Sequence, residues 1–285
     1  MRLPRPAVLL ALALLLGPAA ALPGCATRPP ASDPEALAEY RETNDPIEPW
    51  NRGVFAVNQA VDRAVVRPVA RAYREVVPQP VRTGVRNALG NLRSPVILAN
   101  DLLQGETARA SVTLRRFLIN TTLGVGGIFD AARDQYGLPG HAEDFGQTLA
   151  VAGVPEGPYL FLPLLGPSNA RDLLGFGADV ALNPLTWVDF GGAHTLTAIN
   201  DYGRPAATAL DAREAVLDPI EAVERESLDP YATFRSAYRQ LRRREIANTA
   251  TSAAPSAPDP AALGTGLPAA TGAVPPAQRD PAATR

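Results

Sequence analysis

The chain has 285 residues, 46% of them hydrophobic and 20% charged, with a formal net charge of -2. That is enough apolar material for a folded domain, without the basic excess that marks nucleic-acid binding. All 27 basic residues are Arg, which excludes a P-loop lysine, a Schiff-base lysine and a Ser-Lys dyad. One Cys and two His leave no internal disulfide, no CxxC pair and little material for metal or triad chemistry.

At the N-terminus, Arg2 and Arg5 precede an unbroken apolar run from Val8 to Leu16, which Gly17 and Pro18 end. This pattern predicts a secretory signal, too short to span a membrane in the mature chain. It closes on Leu22-Pro23-Gly24-Cys25, which resembles a bacterial lipobox with an atypical Pro23. Residues 1–24 are therefore expected to be removed, and Cys25 to carry the lipid. Ala26 rather than Asp follows the Cys, as in lipoproteins sent on to the outer membrane. Residues 25–43, with Pro29-Pro30 and Asp33-Pro34, read as a tether. The tail 249–285, rich in Ala, Pro, Thr and Ser, is expected to be disordered because it has too little apolar surface to offset chain entropy.

Residues 44–248 remain as one domain, and their periodicity is helical. Trp50, Val54, Val57, Val61 and Val65 make one stripe, which Pro49 starts and Pro68 is expected to kink or end. Val81, Val85, Leu89 and Leu92 make another before Pro95, and Ala110, Leu114, Phe117, Leu118 and Thr121 a third. Tyr159 to Leu165 suits an extended segment bracketed by prolines. Asp229-Pro230 predicts an N-cap and first helical residue, with Tyr231, Phe234, Tyr238 and Leu241 on one face up to about Asn248. The expected class is mainly α, a single helical domain broken by prolines. Leu173–Leu182, Leu182–Phe190 and Leu123–Phe129 are unusually apolar. Two readings stay open for them: a large core, or contact with lipid.

Small motifs add little enzymatic chemistry. Gly124, Gly126 and Gly127 look like a phosphate loop, but they follow a helix rather than a strand, so a sharp turn or a flexible element fits better. His141 with Glu143 and Asp144 lacks further metal ligands nearby in sequence and reads as a helix start. Asp172, Asp179 and Asp189 suit caps or partners for Arg. Arg242, Arg243 and Arg244 suit a solvated helix C-terminus, with phospholipid head groups as the alternative.

A longer set of motifs resembles the VacJ-like, or MlaA, outer-membrane lipoproteins. It runs through Asn44-Asp45-Pro46, Asn51-Arg52, Phe55, Asn58, Arg67-Pro68 and Asn91-Leu92. Its longest block is Arg116 to Asp130, followed by Asp144-Phe145-Gly146-Gln147-Thr148-Leu149, Gly166-Pro167-Ser168, Arg171-Asp172 and Asp229-Pro230-Tyr231. The resemblance implies a helical, ring-like lipoprotein embedded in the periplasmic leaflet of the outer membrane. Such a protein removes misplaced phospholipids from the outer leaflet through an amphipathic channel, passes them to a soluble periplasmic carrier, and associates with a trimeric porin. It implies no enzyme, cofactor, metal or nucleic-acid partner. The candidate channel or gating residues are Asn51, Phe55, Asn58, Gly124, Gly126, Gly127, Leu185 and Trp187, with helix packing and capping as the other reading of the first three. Leu185 and Trp187 fall where the family carries a flexible hairpin. The alternatives are a structural lipoprotein that binds a porin and, at greater distance, a phospholipid hydrolase.

Overall fold

The computed structural model describes residues 45–188 and 190–248, with positions 30, 32–34, 37, 40 and 43 before them. The segment expected to be a signal peptide, Cys25, Asp189 and the tail after Asn248 lie outside the described residues.

Helix α1 (Glu48–Val61) starts with Pro49 in its first turn, where a missing N–H costs nothing. The chain does not stop at Pro68. It widens into a π turn, Asp62–Val66, in which the Arg67 N–H donates to Asp62 O, and continues as α2 (Arg67–Val76). One wide turn moves the proline ring out of register with the carbonyl it would otherwise strike. The same device recurs later: α8 (His194–Ala198) passes through a π turn, Ile199–Gly203, into α9 (Arg204–Ala215), again just before an Arg-Pro pair.

Between these lie α3 (Gln79–Leu103), which carries Pro95 inside it, and α4 (Thr107–Thr122). They run antiparallel, as the paired contacts Asn91–Thr121 and Asp101–Thr113 show. A short α5 (Ala131–Asp134) and α6 (Phe145–Val151) follow, capped by Asp130 and Asp144. Strands β1 (Tyr159–Leu162) and β2 (Gly166–Asn169) form an antiparallel hairpin with Tyr159 opposite Asn169, so the expected extended segment is a paired strand. Helix α7 (Ala170–Leu182) packs closely on α6, and α10 (Leu217–Glu226) leads to α11 (Pro230–Ile246), with Asp229 as its N-cap.

The apolar core is small. Val54, Tyr159, Phe161 and Tyr231 form it, with Trp50, Phe55 and Tyr238 against them. Phe55 meets Phe161 edge-on at 5.3 Å between ring centres. Elsewhere the packing is inverted. Among the described residues, sixteen polar or charged residues are buried against eleven hydrophobic ones, while thirty large hydrophobic residues are exposed. The stripes read from the sequence mostly face outward: Val57, Val65, Val81, Leu92, Leu114 and Leu118 are exposed, and Asn91, Asn100, Asp101, Thr113 and Asn120 are buried instead.

Candidate functional site

Helices α6, α7 and α11 and strand β2 meet around Arg242. Phe176 and Asp179 lie four and seven residues after Asp172 on α7, so the three share a face. Tyr238, Leu241, Arg242 and Glu245 share a face of α11 by the same spacing. Arg242 clamps Asp144 through two bonds of 2.6 Å, pairs with Asp172 at 2.7 Å and donates to Glu245 at 3.0 Å. Asp172 also accepts from Arg171, Asn169 and Tyr238 at 3.2, 3.0 and 2.5 Å.

Two glycines let these elements close. A Cβ on Gly175 would overlap the backbone of Gly146, and one on Gly146 would overlap Arg242 and Asp172. Burial disfavours charge throughout the cluster, but the Arg242 bonds outweigh it at Asp144, whose pKa falls to about 2. Burial opposes the charge on Arg242 too, and its carboxylate partners override it, so its pKa is raised. Glu245 and Asp179 behave oppositely: burial raises both above the usual carboxylate range.

Beside this cluster is an open cavity of about 270 Å³. Its polar wall is the Arg242 cluster with Asp179 and Ser168, its apolar wall is Pro167, Phe176 and Leu241, and Arg93 reaches it from α3. Such a lining suits a ligand with one charged and one apolar part.

A second polar cluster lies under α3 and α4. His141 Nε2 is 2.8 Å from Asp101 Oδ1, Thr113 donates to Asp101 at 2.6 Å, and Glu143 accepts from Gln104 at 2.9 Å and from Arg109. Asp101, His141 and Glu143 bring their ligand atoms within 4.8 Å of one another. The fold thus adds Asp101 to the two acids near His141 in sequence, while the reading of this segment as a helix start stands, because Asp144 caps α6. Arg109 already bonds Glu143 and lies 3.9 Å from Asp101, so a guanidinium supplies the positive charge there.

The residues singled out from sequence fall into three groups. Asn51 and Asn58 hold the hairpin. Asn51 donates to Tyr159 O at 3.0 Å and accepts from Phe161 N at 2.9 Å; Asn58 donates to Leu162 O at 2.8 Å and accepts from Leu164 N at 3.0 Å. Phe55 packs between them on Phe161 and Tyr231. Gly124, Gly126 and Gly127 form the turn after α4. Gly126 and Gly127 have positive φ, Gly127 lies against Asn91, and Val125 and Phe129 project outward. Leu185 sits in a short 3-10 turn, where its carbonyl accepts from Asn200 at 2.9 Å, and Trp187 is 67% exposed, with its indole N–H on Ala181 O at 2.8 Å. None of these eight lines the cavity. Arg93, Asp144, Arg242 and Glu245 line it and were missed as a site. The signal was present in part, because Arg242 is one helical turn after Tyr238 and so in phase with the aromatic face. Arg242 is buried in ion pairs rather than solvated, which corrects its reading as part of a solvated helix end. Asp172 does pair with Arg, whereas Asp179 accepts from Asn100 and the Phe145 N–H.

The family model for the MlaA lipoprotein matches residues 43–245. The chain belongs to the MlaA lipoprotein family. The MlaA-family relatives include the intermembrane phospholipid transport system lipoprotein MlaA of Haemophilus influenzae, 36% identical over 224 residues, which cover 78% of this chain and 84% of that protein. The protein of the same name from Escherichia coli K12 is 38% identical over 200 residues, covering 69% and 76%. An uncharacterised protein of Rickettsia bellii is 39% identical over 210 residues, covering 72% and 78%. A solved structure concerned with the structural basis for maintenance of bacterial outer membrane lipid asymmetry matches with a TM-score of 0.61 and 34% identity, over 71% of this chain and 98% of that one. The MlaA fold therefore accounts for the mainly helical domain, and the cavity and the outward apolar faces are features of it in this chain.

Proposed function

We propose that this protein is the outer-membrane lipoprotein of an intermembrane phospholipid transport system. It takes misplaced phospholipid from the outer leaflet, carries it along an amphipathic path and passes it to a soluble periplasmic carrier, so maintaining lipid asymmetry. The observation that carries this reading is the burial pattern: among the described residues thirty large apolar side chains are exposed, while outside a small aromatic core much of the interior is polar. A water-exposed protein rarely shows large contiguous apolar surface, whereas a protein set into lipid needs it. No helix among the described residues is long and apolar enough to cross a membrane, which fits seating in a single leaflet.

In this reading Cys25 carries the acyl chains. A single chain anchors only marginally, at about 0.8 kcal/mol per buried methylene, and three anchor durably. The apolar walls shelter lipid tails while buried polar groups face the head group, and no bond is made or broken. A trimeric porin is the expected membrane partner, and Asn51, Phe55, Asn58, the Gly124–Gly127 turn, Leu185 and Trp187 are the proposed channel or gating elements.

The test is transfer of labelled phospholipid from the outer leaflet of asymmetric vesicles by the lipidated protein, with the periplasmic carrier as acceptor. Intact labelled lipid on the carrier is the expected result. Lysolipid or free fatty acid would mean a hydrolase, and no transfer even with the porin present would mean a structural lipoprotein.

A further inference from the structure

The cavity beside Arg242 has more acid than base. Asp144, Asp172, Asp179 and Glu245 face it, against Arg93 and Arg242. Even with Arg171, which bonds Asp172, the site is short of one positive charge. The surplus is localised. Arg242 is committed to Asp144 and Asp172, and Glu245 shares it only at 3.0 Å. Asp179 has two hydrogen-bond donors, Asn100 and the Phe145 N–H, and forms no ion pair among the described residues. Burial raises the pKa of both carboxyls and outweighs what lowers them, the Arg242 bond at Glu245 and the Asn100 bond and Arg93 charge at Asp179.

Arg93, which lines the same cavity and acts electrostatically on Asp179, is exposed and, among the described residues, makes no hydrogen bond or ion pair. A guanidinium free at a rim beside Phe176 and Leu241 is well placed for a phosphate ester whose tails continue over the apolar wall. The cavity's volume of about 270 Å³ is at the low end for drug-sized ligands and accommodates a small head group rather than a whole lipid.

We propose that this cavity is a head-group subsite that selects phospholipids bearing a primary ammonium, the ethanolamine type, with the phosphate on Arg93 and the ammonium on Glu245 and Asp179. The proposal rests on the transport reading and names the lipid that reading would favour. An anionic glycerol head group brings no cation to the acidic wall and is disfavoured there.

The test uses full-length lipidated protein, donor vesicles of equimolar phosphatidylethanolamine and phosphatidylglycerol, and mass spectrometry of lipid delivered to acceptor vesicles. Hydrogen bonds to charged groups set the expected preference for ethanolamine lipid at about tenfold. Glu245→Gln and Asp179→Asn should each bring the ratio toward one, and Arg93→Gln should slow both lipids alike, because both carry the phosphate. Circular dichroism identifies any variant that fails to fold; Glu245, partly buried in the last turn of α11, is the safer site. A wild-type ratio near one, or a ratio unchanged in a folded Glu245→Gln variant, overturns the subsite while leaving transport standing. If neither lipid moves, the transport reading itself falls. Soluble phosphoethanolamine has the same two charges without tails. Calorimetric titration should find it binding more weakly than the lipid saturates transfer, and the opposite order would overturn the assignment to lipid.

Discussion

Arg242 and Asp144 concentrate the charge chemistry of the domain in one buried pair. Removing the cation by Arg242→Met leaves Asp144, Asp172 and Glu245 facing one another, which should cost about 3–5 kcal/mol as read by urea unfolding in detergent. The pH dependence follows from Asp144. Its pKa is depressed to about 2 in the folded protein, so its stabilisation is complete above the ordinary carboxylate value near 4. It is lost as pH falls from there through 2, an effect on the order of 2 kcal/mol. Unfolding midpoints measured at pH 5, 3.5 and 2.5 should fall across that window, and Asp144→Asn should be less stable at pH 7 with a flatter acid limb. A wild-type stability independent of pH over that range would contradict the assignment. At this scale sequence reading was partial. Asp229 was legible as a cap because local spacing decides it, whereas the partners of Arg242 come from the start of α6 and from α7, about 100 and 70 residues away.

At the scale of elements, close backbone approach and pinned turns decide how the parts meet. Gly175 and Gly126 separate two effects. Gly126 has φ +69 with open space around it, so Gly126→Ala should cost about 1 kcal/mol for the left-handed backbone alone. Gly175 has an ordinary φ but touches Gly146, so Gly175→Ala should cost about 1–3 kcal/mol by forcing α6 from α7, and it should open the Arg242 cluster. Thermal melts of the two variants check the order. Asn58→Ala should remove both bonds that hold the Pro163–Leu165 turn, where Leu164 has φ +63. The expected outcome is a loss of about 1–2 kcal/mol and faster hydrogen exchange at Leu164, with α3 and α4 unchanged. The helices themselves were readable from period and caps. The continuation through Pro68 was not, because a π turn depends on what packs beyond the proline. Here α2 gains Arg67–Glu224 at 2.6 Å and Arg74–Glu214 at 2.9 Å only if the helix goes on.

For the whole molecule, the outward apolar surface is the property that matters. Trp187, 67% exposed, and Phe129, 63% exposed, report on it from two separate loops. If these faces meet acyl chains, brominated lipid should quench Trp187 fluorescence, and Phe129→Glu should weaken vesicle flotation of the unlipidated protein about tenfold without lowering its melting temperature. Equal flotation of the two proteins would place Phe129 outside the lipid contact. Of the two readings the sequence left for its apolar stretches, a large core is not what they form: Leu123, Phe129, Leu174, Leu182 and Trp187 all face out, as do many of the helical stripes.

The sequence by itself determined the helical class, the caps and the family, because each depends on local spacing or on an ordered series of motifs. Only the tertiary structure decided which face of each helix is inside. A helical stripe has the same period whether it faces a core or a bilayer, so periodicity reports amphipathicity and not its direction. The same limit hid the cavity. Its wall is built from one exposed Arg on α3 and carboxylates on α6, α7 and α11, and only the close packing at Gly146 and Gly175 brings three of those four helices together.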